Sequence, residues 1–84
     1  TIAIRPNPFS HQATIDYQVA KDGPLLIILY DITGKVVKVL HQQSTTKAGN
    51  YQLNLDSQQL ENGAYWLTMR TQGDVLTKKV FILK

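Results

Sequence analysis

The segment Thr14-Ile15-Asp16-Tyr17-Gln18-Val19 alternates polar and apolar side chains with a period of two residues. In an extended strand, side chains two residues apart lie on the same face, so this pattern predicts one buried face and one hydrated face. The same alternation recurs over 51–55 and 64–71. No apolar stripe with the helical period is long enough for a helix of more than about three turns. The alternation therefore indicates an all-β fold.

Turn-forming residues separate the apolar runs at short and regular intervals. Residues 56–62 are expected to form a turn, because they are too few for a stable lone helix. Strands at this spacing are typical of an antiparallel β-sandwich or barrel. We expect seven strands, at 1–5, 14–19, 25–30, 35–42, 51–55, 64–71 and 75–83. The shared inward register predicts burial of Ile15, Tyr17, Ile27, Leu29, Leu53, Tyr65 and Leu67.

The expected strand 25–30 and the segment 80–83 of the last expected strand are apolar on both faces. With Leu25, Ile27 and Leu29 directed inward, Leu26 and Ile28 point outward. One interpretation is that loops or the rest of a parent protein cover this outer face. The other is that Leu26 and Ile28 form an interface with a partner or, through weak self-association, with a second copy.

The composition describes one small globular domain that spans residues 1–84. Hydrophobic residues make up 43% of the 84 residues, and nine basic against six acidic residues give a net charge of +3. There is no cysteine, which excludes disulfides, thiolate metal sites and cysteine nucleophiles. No apolar run approaches the roughly 20 residues of a membrane helix. Because the chain starts at Thr1, we expect it to be excised from a larger precursor.

Residues that could carry chemistry are few and scattered. His11 and His41 lie at no metal-ligand spacing, and no serine stands in a nucleophile elbow. Aspartates such as Asp31 lie at turns, where they hydrogen-bond the backbone, and no dense carboxylate loop for calcium is present. The basic residues are not interleaved with aromatic ones as in nucleic-acid-binding strands. We therefore expect no enzyme, no cofactor, no metal and no nucleic-acid partner.

Four landmarks follow one another along the chain. The first is Pro6-Asn7-Pro8-Phe9-Ser10, and the second is the segment 30–37, which contains Asp31 and Gly34. The third is the segment 48–51 with Gly49, followed by the segment 60–66 with Gly63 and Tyr65. The fourth is Lys78-Lys79-Val80-Phe81-Ile82-Leu83-Lys84. In this order, over the whole chain, the sequence resembles the type A C-terminal sorting domain of proteins exported by the type IX secretion system of Bacteroidetes-type bacteria. It departs from the family pattern at Leu26 and Ile28, where polar residues are common, and at Ala64, where a larger aliphatic residue is usual.

This resemblance implies a seven-stranded, antiparallel, immunoglobulin-like β-sandwich that acts as an address and not as a catalyst. It implies an N-terminal cargo domain in the same precursor and transit through the periplasm. The type IX translocon would recognise the domain, and a sortase-like protease would cut on its N-terminal side. The cargo would then be anchored at the cell surface or released outside the cell.

The landmark residues also have a direct physical interpretation. Pro6 and Pro8 remove two amide donors and favour an extended, exposed linker that a protease can reach. Gly34 is predicted to have a positive φ in a type I-like turn, and Gly63 either the same or a close backbone approach. Tyr65 is predicted to bury its ring and bond its hydroxyl to a loop.

The recognition role is assigned to the last strand and its lysines, residues 78–84. A terminal strand with a free edge can pair with a receptor strand through backbone hydrogen bonds. The alternative function is a non-catalytic accessory module of an extracellular enzyme, with carbohydrate as its ligand. That function requires Trp66 and a second aromatic side chain to be exposed and coplanar on one face.

Overall fold

The chain folds into seven β-strands and contains no helix. A computed structural model describes all residues from Thr1 to Lys84. The predicted strands are all confirmed, and residues 57–62 form turns and irregular structure as expected. The largest difference is at the end of the fourth strand, which continues four residues further than predicted. The strands are β1 (Ile2–Arg5), β2 (Gln12–Val19), β3 (Gly23–Asp31), β4 (Val36–Thr46), β5 (Gly49–Asp56), β6 (Gly63–Thr71) and β7 (Asp74–Ile82).

The strands form two sheets that pack face to face. One sheet has the order β1-β2-β5 and the other has the order β4-β3-β6-β7. All neighbouring strands pair antiparallel. The chain crosses between the sheets after β2, β4 and β5, so neither sheet is a simple hairpin series. The predicted seven-stranded antiparallel sandwich is confirmed, and this arrangement is consistent with the immunoglobulin-like class.

Side chains from both inner faces build one hydrophobic core. Six of the seven side chains predicted to be buried are confirmed, but the prediction is wrong for Leu53, which is half-buried at the margin of the core. Leu53 pairs with Ile15, but it lies on β5, an outermost strand with no neighbour on its other side. The core comprises Ile2, Phe9, Ala13, Ile15, Tyr17, Val19, Leu25, Ile27, Leu29, Leu55, Tyr65, Leu67, Met69, Val80 and Ile82.

The turn between β3 and β4 is organised by Asp31. Its Oδ1 accepts hydrogen bonds from the Thr33 amide (2.9 Å), the Thr33 hydroxyl (2.6 Å) and the Lys35 amide (3.0 Å). The Gly34 amide donates to the Asp31 carbonyl at 3.0 Å, as in a type I-like turn. Gly34 has φ +94°, which confirms the predicted positive φ.

The start of β6 carries a tyrosine that ties the strand to the preceding loop. The Tyr65 ring is buried, and its hydroxyl donates to the Glu61 carbonyl at 2.7 Å. Both predictions for Tyr65 are confirmed, and the arrangement matches the tyrosine corner of immunoglobulin-like sandwiches. Gly63 has φ +145°, and a Cβ there would meet no atom within 4 Å. The backbone conformation therefore explains this glycine, and the alternative of a close backbone approach is wrong.

Candidate functional site

The last strand divides into an inward row and an outward row. Val80 and Ile82 are fully buried in the core, whereas Phe81 and Leu83 are 41% and 61% exposed. The run that is apolar on both faces in the sequence thus combines a core segment with solvent-facing side chains. Because Val80 and Ile82 hold the strand in place, Phe81 and Leu83 can be reached without unfolding the domain.

The edge of this strand is not free along its second half. The Phe9 amide donates to the Phe81 carbonyl (3.1 Å), and the Leu83 amide donates to the Phe9 carbonyl (2.9 Å). Asn7 Nδ2 donates to the Lys79 carbonyl, and Asn7 Oδ1 accepts from the Phe81 amide, both at 3.0 Å. We call residues 7–9 the clasp. The prediction of a free edge is wrong from Lys79 to Leu83, because the clasp already occupies the outward backbone groups.

The clasp also changes the interpretation of the two prolines. Pro6 and Pro8 are exposed, and the peptide bonds before them are both cis. However, Phe9 is buried and pairs with Ile82 in a parallel bridge. The prediction that this segment is an exposed linker is therefore wrong, since it is packed on the domain. The first half of β7, before Lys79, makes no backbone hydrogen bond to another segment along this edge.

The cations of the last strand are all exposed, but they face different surroundings. Lys79 lies above two aromatic rings, with its Nζ 5.3 Å from the centroid of Trp66 and 5.4 Å from that of Phe81. Lys78 is exposed at the sheet edge, in register with Leu67. The Lys84 amide donates to Asn62 Oδ1 at 2.8 Å, which fixes the chain end against the loop before β6.

The outer face of the four-stranded sheet contains the other predicted interface residues. Leu26 and Ile28 point outward from β3 and are half-buried. Tyr30 and Trp66 are cross-strand neighbours on the same face. Trp66 is itself half-buried and has the Lys79 ammonium over its ring, so it does not offer the open surface that a sugar platform needs. The stacked aromatic pair of the chain, Tyr17 and Tyr51, lies in the other sheet.

Among the remaining polar side chains, His11 and Asp31 make local hydrogen bonds. His11 Nδ1 lies 3.1 Å from the Ser10 hydroxyl, and no group of three or more His, Cys, Asp or Glu side chains is arranged to hold a metal ion. The hydrogen bonds from Thr33 and Lys35 lower the pKa of Asp31 below its ordinary value. Gly49 is the first residue of β5, and a Cβ at this position would lie 3.8 Å from the Tyr51 ring. The structure has no helix with the length and apolarity required to span a membrane.

Sequence reasoning missed the long-range role of two asparagines. Asn7 and Asn62 both bind the backbone of the C-terminal segment through their side chains. Asparagine is common in turns, so neither position carried a local signal for a partner more than twenty residues away. The one available hint was that both asparagines stand within the landmarks that also contain Pro6 and Gly63.

Comparison with families of known proteins finds a match over nearly the whole chain. The family model described as "Secretion system C-terminal sorting domain" matches residues 3–83, nearly the whole chain. A search of curated proteins found no match. Domains of this family are non-catalytic signals for type IX secretion, which imply an attached N-terminal cargo, interaction with the secretion machinery, and export to the cell surface or the extracellular space. The chain belongs to this family of type IX secretion C-terminal sorting domains.

Proposed function

We propose that this domain is recognised by the type IX translocon through the exposed side chains at the end of its last strand. The observation that carries the proposal is the division of residues 78–84 into two rows. Val80 and Ile82 anchor the strand in the core, while Lys78, Lys79, Phe81, Leu83 and Lys84 remain exposed. A receptor can therefore contact Lys79 and Phe81 on the outward face, together with the exposed Leu83 and Lys84 that follow the strand, while Lys78 is exposed at the sheet edge.

Recognition by side chains fits the folded domain better than strand addition at the chain end. The clasp occupies the outward backbone groups of Lys79, Phe81 and Leu83, so a receptor strand would have to displace it. Lysines contribute to such contacts mainly by steering the encounter and by setting specificity. Phe81 and Leu83 supply apolar area, whose removal from water favours association.

We place the proteolytic cut upstream of Ile2. A protease needs an accessible, extended peptide, and exposed flexible segments are the usual sites of cleavage. Within the domain, β1 is paired with β2, and residues 7–9 are hydrogen-bonded to β7. The proposed sequence of events is periplasmic transit of the precursor, recognition by the translocon, and removal of the domain by a sortase-like protease. The cargo is then anchored or released.

The test is export of a periplasmic reporter fused to residues 1–84 in a host with the type IX machinery. The wild-type fusion should cross the outer membrane. The double variant Phe81→Ser/Leu83→Ser changes only exposed side chains, and the fusion that carries it should stay in the periplasm. A fusion extended after Lys84 should also stay in the periplasm, because the added residues would obstruct access to the exposed side chains at the end of the last strand.

Two controls make the export result interpretable. Ile32→Ser removes another exposed apolar side chain (55% exposed) in the turn between β3 and β4, which β6 separates from the last strand, and this variant should be exported normally. Each variant must retain the wild-type urea midpoint, since a domain that unfolds can lose export for an unrelated reason. Normal export of the folded Phe81→Ser/Leu83→Ser fusion would contradict recognition at the end of the last strand.

A further inference from the structure

The two outer faces of the sandwich differ sharply in composition. The outer face of the three-stranded sheet is polar, and Asp16 organises its centre. Asp16 Oδ2 accepts from Arg5 Nε at 2.7 Å, and its Oδ1 accepts from Gln52 Nε2 at 2.8 Å. Thr14 and Asn54, a cross-strand pair, extend the same polar surface. This face has the composition expected of a surface in contact with water.

The outer face of the four-stranded sheet carries apolar side chains on every strand. Residues paired across neighbouring strands share a face, so the register identifies the members of this set. Thr68, at the centre of the face, is buried although it points outward, which shows how closely its large neighbours cover it. The apolar members are Val36, Val39, Leu26, Ile28, Tyr30, Ala64, Trp66, Val75 and Phe81.

The most exposed members of this face lie on its two outermost strands. Val36 and Val39 on β4 are 51% and 48% exposed, and Val75 on β7 is 53% exposed. Outermost strands of isolated domains normally carry charged side chains on such positions. An apolar surface that extends from Val36 and Val39 on β4 across β3 to Trp66 on β6 is typical of a protein interface. Arg70 and Thr77 separate Val75 on β7 from this surface.

The charges on the apolar face are all positive. Arg70 and Lys79 are the charged residues in its outward register positions, and none of the six acidic residues of the chain occupies one. The ion pair of the domain, Arg5 with Asp16, lies on the other sheet. Arg70 and Lys79 therefore have no carboxylate partner within the chain.

We infer that the outer face of the four-stranded sheet docks an acidic protein surface, with apolar residues against β3 and β6 and carboxylates opposite Arg70 and Lys79. Aromatic residues and arginine are the types enriched in protein interfaces, and complementary charge selects the partner. A second copy fits less well, because a copy that presents the same face brings cations and no carboxylate.

This inference rests on the proposed function and extends it to a second surface. The outward side of β7 belongs to both surfaces, since Lys79 and Phe81 lie on the last strand and the Lys79 ammonium lies over both the Trp66 and the Phe81 rings. A partner that contacts the chain end can therefore continue across the sheet without a break. Leu26 and Ile28 lie on β3 within the same outer face and contact the same partner.

The test uses site-specific photo-crosslinking during export of the reporter fusion. The photoreactive residue p-benzoylphenylalanine replaces Val39 on the apolar face or, as the matched control, Asn54 on the polar face. The photoreactive residue at position 39 should give an adduct between the fusion and a different protein, and the same residue at position 54 should give none. The double variant Arg70→Glu/Lys79→Glu should lower the adduct yield at least about tenfold, whereas Arg70→Lys/Lys79→Arg should keep it within about twofold.

Mass spectrometry of the cross-linked peptide then tests the predicted acidic chemistry. Replacing the nearest partner carboxylates with lysine should restore the adduct to the Arg70→Glu/Lys79→Glu variant. An adduct that survives charge reversal, an adduct with the mass of two copies of the fusion, or equal yields at positions 39 and 54 would each overturn the inference.

The failure of the inference is distinguishable from failure of the proposed function. If the wild-type fusion is exported but position 39 gives no adduct, the docking surface is wrong and the sorting role stands. If the wild-type fusion is not exported, the proposed function fails and the inference fails with it. Equal urea midpoints for all variants are required, and Arg70 and Lys79 are both exposed, so their substitution should not disturb the core.

Discussion

Asn7 and Phe81 are 74 positions apart in the chain, and the Asn7 side-chain oxygen accepts the Phe81 amide at 3.0 Å. The same side chain donates to the Lys79 carbonyl, so one asparagine satisfies two backbone groups on the outer edge of the last strand. Asn7 and Phe9 together make the hydrogen bonds to the last strand that a neighbouring strand would make. An unpaired strand edge can pair with another chain and so promote aggregation. The clasp covers the second half of this edge.

The first prediction concerns this contact. Asn7→Ala should lower the free energy of unfolding by about 1–2 kcal/mol, because two hydrogen bonds are lost at a partly hydrated edge. The amide of Phe81 should also exchange with solvent faster, while the Leu67 amide in the sheet interior should not. Asn54→Ala is the control, since Asn54 is exposed on β5 and its change should leave both measurements unaltered. Unchanged Phe81 exchange in Asn7→Ala would contradict the clasp.

The second prediction concerns the tyrosine corner. Tyr65→Phe keeps the buried ring but removes the hydroxyl that donates to the Glu61 carbonyl. The urea-determined free energy of unfolding should fall by about 1–2 kcal/mol. Tyr30→Phe removes a hydroxyl from the outer face, where no such hydrogen bond is made, and should change stability far less. Equal effects of the two substitutions would show that the Glu61 contact is not stabilising.

The third prediction is an acid dependence that originates at Asp31. The Thr33 hydroxyl and the Lys35 and Thr33 amides hold the pKa of Asp31 below its ordinary value of 3.8. A carboxyl with a lowered pKa in the folded state contributes stability above its unfolded pKa. That contribution is lost as the pH falls through the folded pKa.

Asp31→Asn tests this dependence, because it keeps an oxygen acceptor but cannot titrate. Urea midpoints measured from about pH 7 to about pH 2 should decline less steeply for Asp31→Asn than for the wild type. Asn54→Ala is the matched control: Asn54 is an exposed polar side chain without a titratable group, and its substitution should leave the slope unchanged. Parallel slopes for Asp31→Asn and the wild type would rule out this role of Asp31.

The fourth prediction is an alkaline dependence that originates at Tyr17. Burial, and to a smaller extent the nearby Tyr51, raise the pKa of Tyr17 above its ordinary value of 10.0. Folding therefore favours the neutral phenol. Its contribution to stability is complete below the unfolded pKa and is lost as the pH rises toward the folded pKa. Tyr17→Phe should reduce the loss of stability between neutral pH and about pH 11, as followed by the urea midpoint. An equally steep alkaline decline in Tyr17→Phe and in the wild type would rule out this role of Tyr17.

Most of the strand structure could be predicted from local pattern. Side chains alternate faces in any extended strand, so the period-two rows around Ile15, Tyr17 and Leu67 defined strands and their buried sides before any pairing was known. The prediction for Leu53 was wrong because pattern identifies a face but not a position in the sheet. Only the strand order makes β5 an outermost strand and leaves Leu53 half-buried.

The sequence by itself determined the all-β class, the turn at Asp31 and Gly34, and the apolar character of the last strand, because each depends on neighbours within a few residues. Tertiary structure alone decided that Asn7 covers the edge beside Phe81, since that contact joins segments at opposite ends of the chain. It also decided the apolar outer face: irregular pairing of β3 with β4 places Val39 opposite Ile28. Such a register depends on both strands together, and neither strand's sequence pattern contains it.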